Sequence, residues 1–313
     1  MRLLIKAGGA AAFPQWKQAF ATHAPDLDVL NWDDPVVDPA TVDFALVWTP
    51  PEGWLAGFPN LKVILSAAAG VDHILADPRL PRHIPLVRMV TDETISRMGD
   101  YVCLAALSLA RDLPQILHAQ QLREWRSNLT GRLVESTTVG ILGLGQLGQG
   151  AAKRLNALGF KVAGWSRSPK MIPGVTAYQG PLALRAFLAK TDILVNLLPH
   201  TAETHQILNR ETLSYLPAGA GLVNVGRGTH LDTDALLAAL DSGAIRGAIL
   251  DVFDSEPLDQ QSALWRHPGV IVTPHIASTA SYDARARQVS ASILRYQAGS
   301  LPLPFSFDYK LGY

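Results

Sequence analysis

The sequence predicts an α/β protein built from two doubly wound parallel-sheet domains. Three observations predict it: short strands that are apolar throughout, regular interleaving of those strands with helical stretches, and a glycine turn set between a strand and a helix at residues 143–148. Strands without polar alternate positions are what a parallel sheet covered on both faces requires. The strand–helix alternation marks the doubly wound class. With 313 residues the chain has room for about two domains of roughly 100–200 residues each.

The elements follow in order. Residues 3–6, 44–48 and 63–66 read as strands, each running into a Gly-, Pro- or Ala-rich turn. Residues 93–113 read as one long amphipathic helix that Pro114 interrupts. A polar segment, 120–135, leads to a β-branched and aliphatic strand at 138–142. Helix 146–158 comes next, then strands at 161–165, 192–197, 221–225, 248–252 and 270–273. Helix 281–297 closes the pattern and is expected to pack back on the first domain, leaving that domain discontinuous in sequence.

Composition narrows the function classes. Apolar residues make up 48% and charged residues 17%, enough for a sizeable core. Lys and Arg total 27 against 27 Asp and Glu, which gives no electrostatic reason to expect nucleic acid or an anionic membrane as partner. The longest apolar run, 101–110, is half a membrane span, and the apolar start of the chain is too short for a secretory signal. The one cysteine, Cys103, forms no internal disulfide and sits in an apolar run, as a structural thiol would. A cytoplasmic protein is the expectation.

The glycine turn reads Gly143-Leu144-Gly145-Gln146-Leu147-Gly148. Gly143 permits the tight turn, Gly145 lets backbone approach a pyrophosphate, and Gly148 lets helix and strand pack closely. Amides at the helix start, around Gln146 and Leu147, then bind the negative charge. A strand before and a helix after supply the context that a Rossmann dinucleotide site needs. The next strand ends in Trp165-Ser166-Arg167-Ser168-Pro169-Lys170, with no carboxylate for the ribose hydroxyls. Ser166, Arg167, Ser168 and Lys170 suit a 2′-phosphate instead, so NADPH is expected, with NADH the weaker alternative. The plainer reading of Arg167 and Lys170 is solvated loop charge.

Three later segments each deliver a polar residue at a strand end, where open α/β sheets bind ligands. They are Val223-Asn224-Val225-Gly226-Arg227-Gly228, Leu250-Asp251-Val252-Phe253 leading to Glu256-Pro257, and Thr273-Pro274-His275. Reducing a 2-oxoacid needs these residue types. The guanidinium of Arg227 holds a carboxylate with paired hydrogen bonds. His275 is the type that donates a proton near neutral pH, and Glu256 beside it fixes the tautomer and favours the protonated ring. No metal is required. His200, His205 and His230 are rival histidines: Pro199 and His200 are expected beside the cofactor, and His230 reads as a surface turn residue.

Taken in order, these motifs resemble the D-isomer-specific 2-hydroxyacid dehydrogenase family, and the likeness covers nearly the whole chain. It implies that Arg227 binds substrate, that Glu256 pairs with His275, and that His275 is the acid/base. It further assigns Val225 and Asp251 to the cofactor, Asp251 at the nicotinamide amide, although a strand-end structural acid is also open. It implies a flavodoxin-like substrate-binding domain over 1–95 completed by 285–313, a Rossmann domain over 96–284, and an active-site cleft between them. A homodimer through the helix near 93–113 is implied as well.

Within the family, the chain is similar to the bacterial branch that reduces glyoxylate and hydroxypyruvate with NADPH. Ala45-Leu46-Val47-Trp48, Ala69-Gly70-Val71-Asp72, Trp165-Ser166-Arg167-Ser168 and Leu311-Gly312-Tyr313 carry that likeness. It implies that the amides of Ala69, Gly70 and Val71 meet the substrate carboxylate and that Trp48 lines a small pocket. Ordinary core packing is the other reading of Trp48. The Gly8-Gly9-Ala10-Ala11-Ala12 loop departs from the branch pattern. Two alternatives stay open: a broader 2-oxoacid reductase, and a dinucleotide-sensing protein like the corepressors that share this fold.

Overall fold

The computed structural model describes residues 1–312, so Tyr313 of the chain-end motif lies outside the described residues. The chain divides into two compact units: Met1–Glu93 with the segment from Ala280 onward, and Thr94–Thr279. In the first unit, β1 (Arg2–Lys6), β2 (Asp28–Asn31), β3 (Phe44–Val47), β4 (Val63–Ser66) and β5 (Leu86–Val87) form one parallel sheet. Their order, β2-β1-β3-β4-β5, is that of flavodoxin-like folds. Helix α1 (Phe13–His23) follows β1, and α2 (Asp72–Leu75) follows β4.

Leu3, Ile5, Leu46 and Leu65 pack with Trp16 and Phe20 of α1 and with Ala286, Val289 and Ile293 of the returning helix Tyr282–Gln297. Their strand neighbours Leu4, Ala45, Val47 and Ile64 pack with Leu55, Phe58 and Ile74 instead. Successive strand side chains point to opposite faces, so two covered faces demand apolar residues at every position.

The second unit opens with α3 (Asp92–Ala110) and α4 (Leu113–Gln121). Then come β6 (Thr138–Leu142), α5 (Gln146–Ala157), β7 (Lys161–Ser166), β8 (Val175–Gln179), α6 (Leu184–Leu188) and β9 (Ile193–Asn196). α7 (Arg210–Ser214), β10 (Ala220–Asn224), α8 (Thr233–Asp241), β11 (Ile245–Leu250) and β12 (Val270–Val272) complete it. The seven strands run parallel in the order β12-β11-β10-β9-β6-β7-β8. Six of them reproduce the dinucleotide-binding order 3-2-1-4-5-6, with β12 added beyond. Leu142, Asn196, Asn224, Leu250 and Val272 stand in register, so every loop of interest leaves the same sheet edge.

Two expectations change. Pro114 does not end the long helix. Asp112 breaks it by taking a left-handed conformation at φ 56°, and Pro114 falls in the first turn of α4, where a missing amide costs nothing. The strands β2, β5 and β8 were not foreseen. All three are sheet edges, half covered or very short, so their residues lack the continuous apolar pattern.

Candidate active site

The glycine turn assigns a separate task to each glycine. Gly143 has φ 98°, and a Cβ there would lie 2.7 Å from the Leu197 carbonyl oxygen. A Cβ on Gly148 would lie 2.0 Å from the Gly143 carbonyl oxygen, so helix and turn touch directly. Around Gly145 nothing stands within 4 Å of that position. The turn is thus tight at both ends and open in the middle. Gly145 caps α5 without any side-chain hydrogen bond, Gln146 is exposed and Leu147 half-buried. A helix of 12 residues with an uncapped first turn presents amides and a positive dipole end to an anion. These residues fit a dinucleotide pyrophosphate.

β7 ends on buried Ser166, whose Oγ donates to the Ser168 carbonyl (2.7 Å). That turn leaves Arg167 and Lys170 exposed and Ser168 half-buried. No carboxylate stands in the turn itself, but Glu203 reaches the same region from the loop after β9. Its carboxyl lies below the usual range through its own backbone amide and the Thr201 hydroxyl, with a smaller attraction from Arg167. Sequence spacing carries no sign of this residue. Pro199 begins the same loop, exposed, and its carbonyl accepts from Thr204 Oγ1 (2.8 Å).

Beyond β10, buried Val225 and Gly226 lead to Arg227, extended at φ −141° and half-buried, with Nη1 donating to the Gly226 carbonyl (2.8 Å). At Gly228 a Cβ would lie 1.8 Å from the Phe253 carbonyl carbon. The loop of Arg227 therefore lies directly against the loop of Glu256. Glu256 Oε1 accepts from the Phe253 amide (3.0 Å), while Oε2 meets Nδ1 of His275 at 2.8 Å. The carboxylate accepts Nδ1–H, which turns Nε2 of the ring away from it.

His275 is held by Asp251. Its backbone has φ 55°, a left-handed conformation uncommon for residues other than glycine. Its amide donates to the Asp251 carbonyl (2.8 Å), and the next two amides donate to the Asp251 carboxylate, Ile276 to Oδ1 and Ala277 to Oδ2 (2.9 Å each). Thr273 Oγ1 donates to Oδ1 (2.5 Å) and so accepts from the Tyr101 hydroxyl (2.6 Å). Burial pushes the Tyr101 hydroxyl up to about 12, and the nearby Asp251 carboxylate raises it further. Three side-chain bonds occupy most of the roughly four lone-pair sites of the buried Asp251 carboxylate. These bonds are those of the strand-end structural acid that the sequence left open for Asp251, while Tyr101 was missed because it lies far away on α3.

The rival histidines separate. His230 is not a surface residue: it is fully buried, with Nδ1 2.9 Å from Asn196 Nδ2. His200 is exposed and bonds Thr229 Oγ1 through Nδ1 (3.0 Å). In the first unit, Trp48 follows β3 with its amide on the Lys6 carbonyl (2.7 Å). Its ring is not core: it is 37% exposed and rests on His73, centroids 4.0 Å apart. Ala69, Gly70 and Val71 form the turn between β4 and α2, where Ser66 accepts from the Ala68 amide (3.1 Å).

A profile of the D-isomer specific 2-hydroxyacid dehydrogenase NAD binding domain matches residues 103–277. The chain belongs to that family. It is 40% identical over 304 residues to a glyoxylate/hydroxypyruvate reductase A of Serratia proteamaculans, covering 96% of each chain. The protein of the same name from Salmonella heidelberg is 42% identical over 305 residues, 95% of this chain and 96% of that one. Among solved structures, a family member from Xanthobacter autotrophicus in complex with NADPH and MES superposes with a TM-score of 0.94 at 41% identity, over 99% of both chains. An NADPH-dependent glyoxylate/hydroxypyruvate reductase from Sinorhizobium meliloti, with NADP and sulfate, gives 0.92 at 37% identity, over 100% of this chain and 99% of that one. This dehydrogenase therefore has two parallel α/β sheets and the dinucleotide-binding domain of its family.

Proposed function

We propose that this family member reduces glyoxylate to glycolate and hydroxypyruvate to glycerate, using NADPH in preference to NADH. The His275–Glu256 pair at 2.8 Å carries the reading, because it is the proton-delivery unit that a keto reduction needs. Relatives named for that reaction at about 40% identity support the substrate class. Gly143, Gly145, Gln146, Leu147 and Gly148 would hold the pyrophosphate, Ser166, Arg167, Ser168 and Lys170 the 2′-phosphate, and Pro199 and Val225 the rest of the cofactor. When bound, the cofactor supplies the hydride that becomes the C2–H of the product.

Arg227 holds the substrate carboxylate and draws density from the keto oxygen. His275 hands its Nε2 proton to that oxygen as it gains charge, and Glu256 holds the ring through Nδ1 while it does so. Asp251 fixes the loop that carries the ring, and its remaining lone pair on Oδ2 is the one it has for a nicotinamide amide. Trp48 and the turn of Ala69, Gly70 and Val71 complete substrate binding in this reading.

Initial rates with a panel of 2-oxoacids, each with NADPH and NADH, test the proposal. Glyoxylate and hydroxypyruvate with NADPH should give the highest kcat/KM. A preference for pyruvate or longer oxoacids makes this a broader reductase, and cofactor binding without turnover makes it a dinucleotide sensor.

We further infer a homodimer in the cytoplasm. Leu104 on α3 is 63% exposed, and Trp125 and Leu133, beyond α4, are 96% and 74% exposed. Exposed apolar side chains of this kind on one unit suit a second copy of the chain. No helix among the described residues is long and apolar enough to cross a membrane. Sedimentation should show a dimer that Trp125→Glu weakens.

A further inference from the structure

A cluster of three polar side chains lies against the backbone that carries Arg227. Asn196, Asn224 and His230 are all fully buried, at the ends of β9 and β10 and just after Arg227. Buried polar groups are retained at a cost unless every one is bonded, so their bonding pattern carries information.

Backbone groups fix the direction of each bond. Asn196 Oδ1 accepts from the Leu198 amide (3.2 Å), which makes its other atom the donor. That Nδ2 donates to Asn224 Oδ1 and to Nδ1 of His230, both at 2.9 Å. Asn224 Oδ1 also accepts from the Gly226 amide (3.3 Å), and its Nδ2 donates to the Arg227 carbonyl (3.0 Å). The His230 amide donates to that same carbonyl (3.2 Å). Leu198 N–H, Gly226 N–H and Arg227 C=O have no alternative roles, so neither asparagine can flip, and Nδ1 of His230 must present a lone pair. A side chain at Gly226 would meet the same wall, with Asn196 Nδ2 at 2.9 Å and His230 Nδ1 at 3.2 Å.

We propose that Asn196, Asn224 and His230 are positioning residues for Arg227. They clamp the peptide groups on both sides of it, so the guanidinium leaves the loop from a fixed backbone and reaches the substrate carboxylate at one angle. His230 works as a neutral acceptor and not as a proton donor. The inference rests on Arg227 being the carboxylate ligand.

The test is a double-mutant cycle on the holoenzyme, with glyoxylate and NADPH varied separately. His230→Phe keeps the ring and removes the acceptor. It should raise KM for glyoxylate by about tenfold or more while changing KM for NADPH by less than about twofold. His230→Asn, which returns an acceptor near the Nδ1 position, should recover most of that loss. In an Arg227→Ala background, His230→Phe should cost less than about a further twofold. A loss shared equally by both substrates, or one of full size in both backgrounds, overturns the positioning role. Unchanged kinetics in Arg227→Ala alone would instead remove the reading of Arg227. Should His230→Phe not fold, Asn224→Ser carries the same cycle, because it loses the bond to the Arg227 carbonyl.

Discussion

Nδ1 of His275 lies 2.8 Å from Oε2 of Glu256, and Oε1 of the same carboxylate is tied to the Phe253 amide. The ring is thus oriented by a carboxylate that the backbone itself orients. Replacing that carboxylate with an amide of the same shape places an N–H₂ group against Nδ1, which favours the wrong tautomer. Glu256→Gln should lower kcat by about tenfold or more. His275→Ala should nearly abolish reduction yet bind NADPH normally by fluorescence titration. Normal turnover in the alanine variant would hand proton donation to another group.

Tyr101 supplies a pH prediction. Its ionisation is pushed from 10.0 to about 12 by burial, with the Asp251 carboxylate adding to the rise. An acid whose folded value is raised leaves stability untouched below the unfolded value, then erodes it until the folded value is passed. The loss should fall between about pH 10 and 12. Tyr101→Phe gives up one hydrogen bond, roughly 1 kcal/mol at pH 8, and then loses less than wild type as pH rises. Denaturant midpoints at pH 8 and 11 measure this. A constant gap between the two proteins would mean that Tyr101 ionises as a surface tyrosine does.

Arg167 stands exposed past buried Ser166, and the proposed 2′-phosphate contact rests on its guanidinium. Arg167→Ala should raise KM for NADPH far more than for NADH. Equal effects on the two cofactors would end the 2′-phosphate assignment.

Arg227→Lys keeps the charge and loses the planar fork. Catalytic efficiency should fall about tenfold or more, a loss of at least ~1.4 kcal/mol in transition-state binding. Well-folded protein with unchanged kinetics would take Arg227 out of the site.

Buried strands were legible in the sequence because two covered faces leave no polar position: residues 138–142 and 63–66 match β6 and β4 to the residue. Edge strands were not. β8 reads Val-Thr-Ala-Tyr-Gln, mostly exposed, and nothing in that string separates it from a loop. The same division runs through the site. Gly143, Arg227, Glu256 and His275 announce themselves by residue type at strand ends. Tyr101 and Asn196 act through contacts that only the folded chain creates, since their partners lie on other elements, and Glu203 meets Arg167 only because two distant loops fold together. His230 misled because a histidine three residues beyond a strand-end arginine gives no hint of burial.

The unequal crowding around the glycine turn has an evolutionary consequence. Gly143 and Gly148 are each pinned against a carbonyl oxygen, so the end of the site that would hold the pyrophosphate tolerates almost no variation without loss of the fold. The stretch from Arg167 to Lys170 is largely surface and contributes little to the core. Mutations there are close to neutral for folding, so selection can act on them one at a time. With the 2′-phosphate contact proposed for this stretch, a lineage of this architecture would be free to move between the cell's two pools of reducing power while its scaffold stays unchanged.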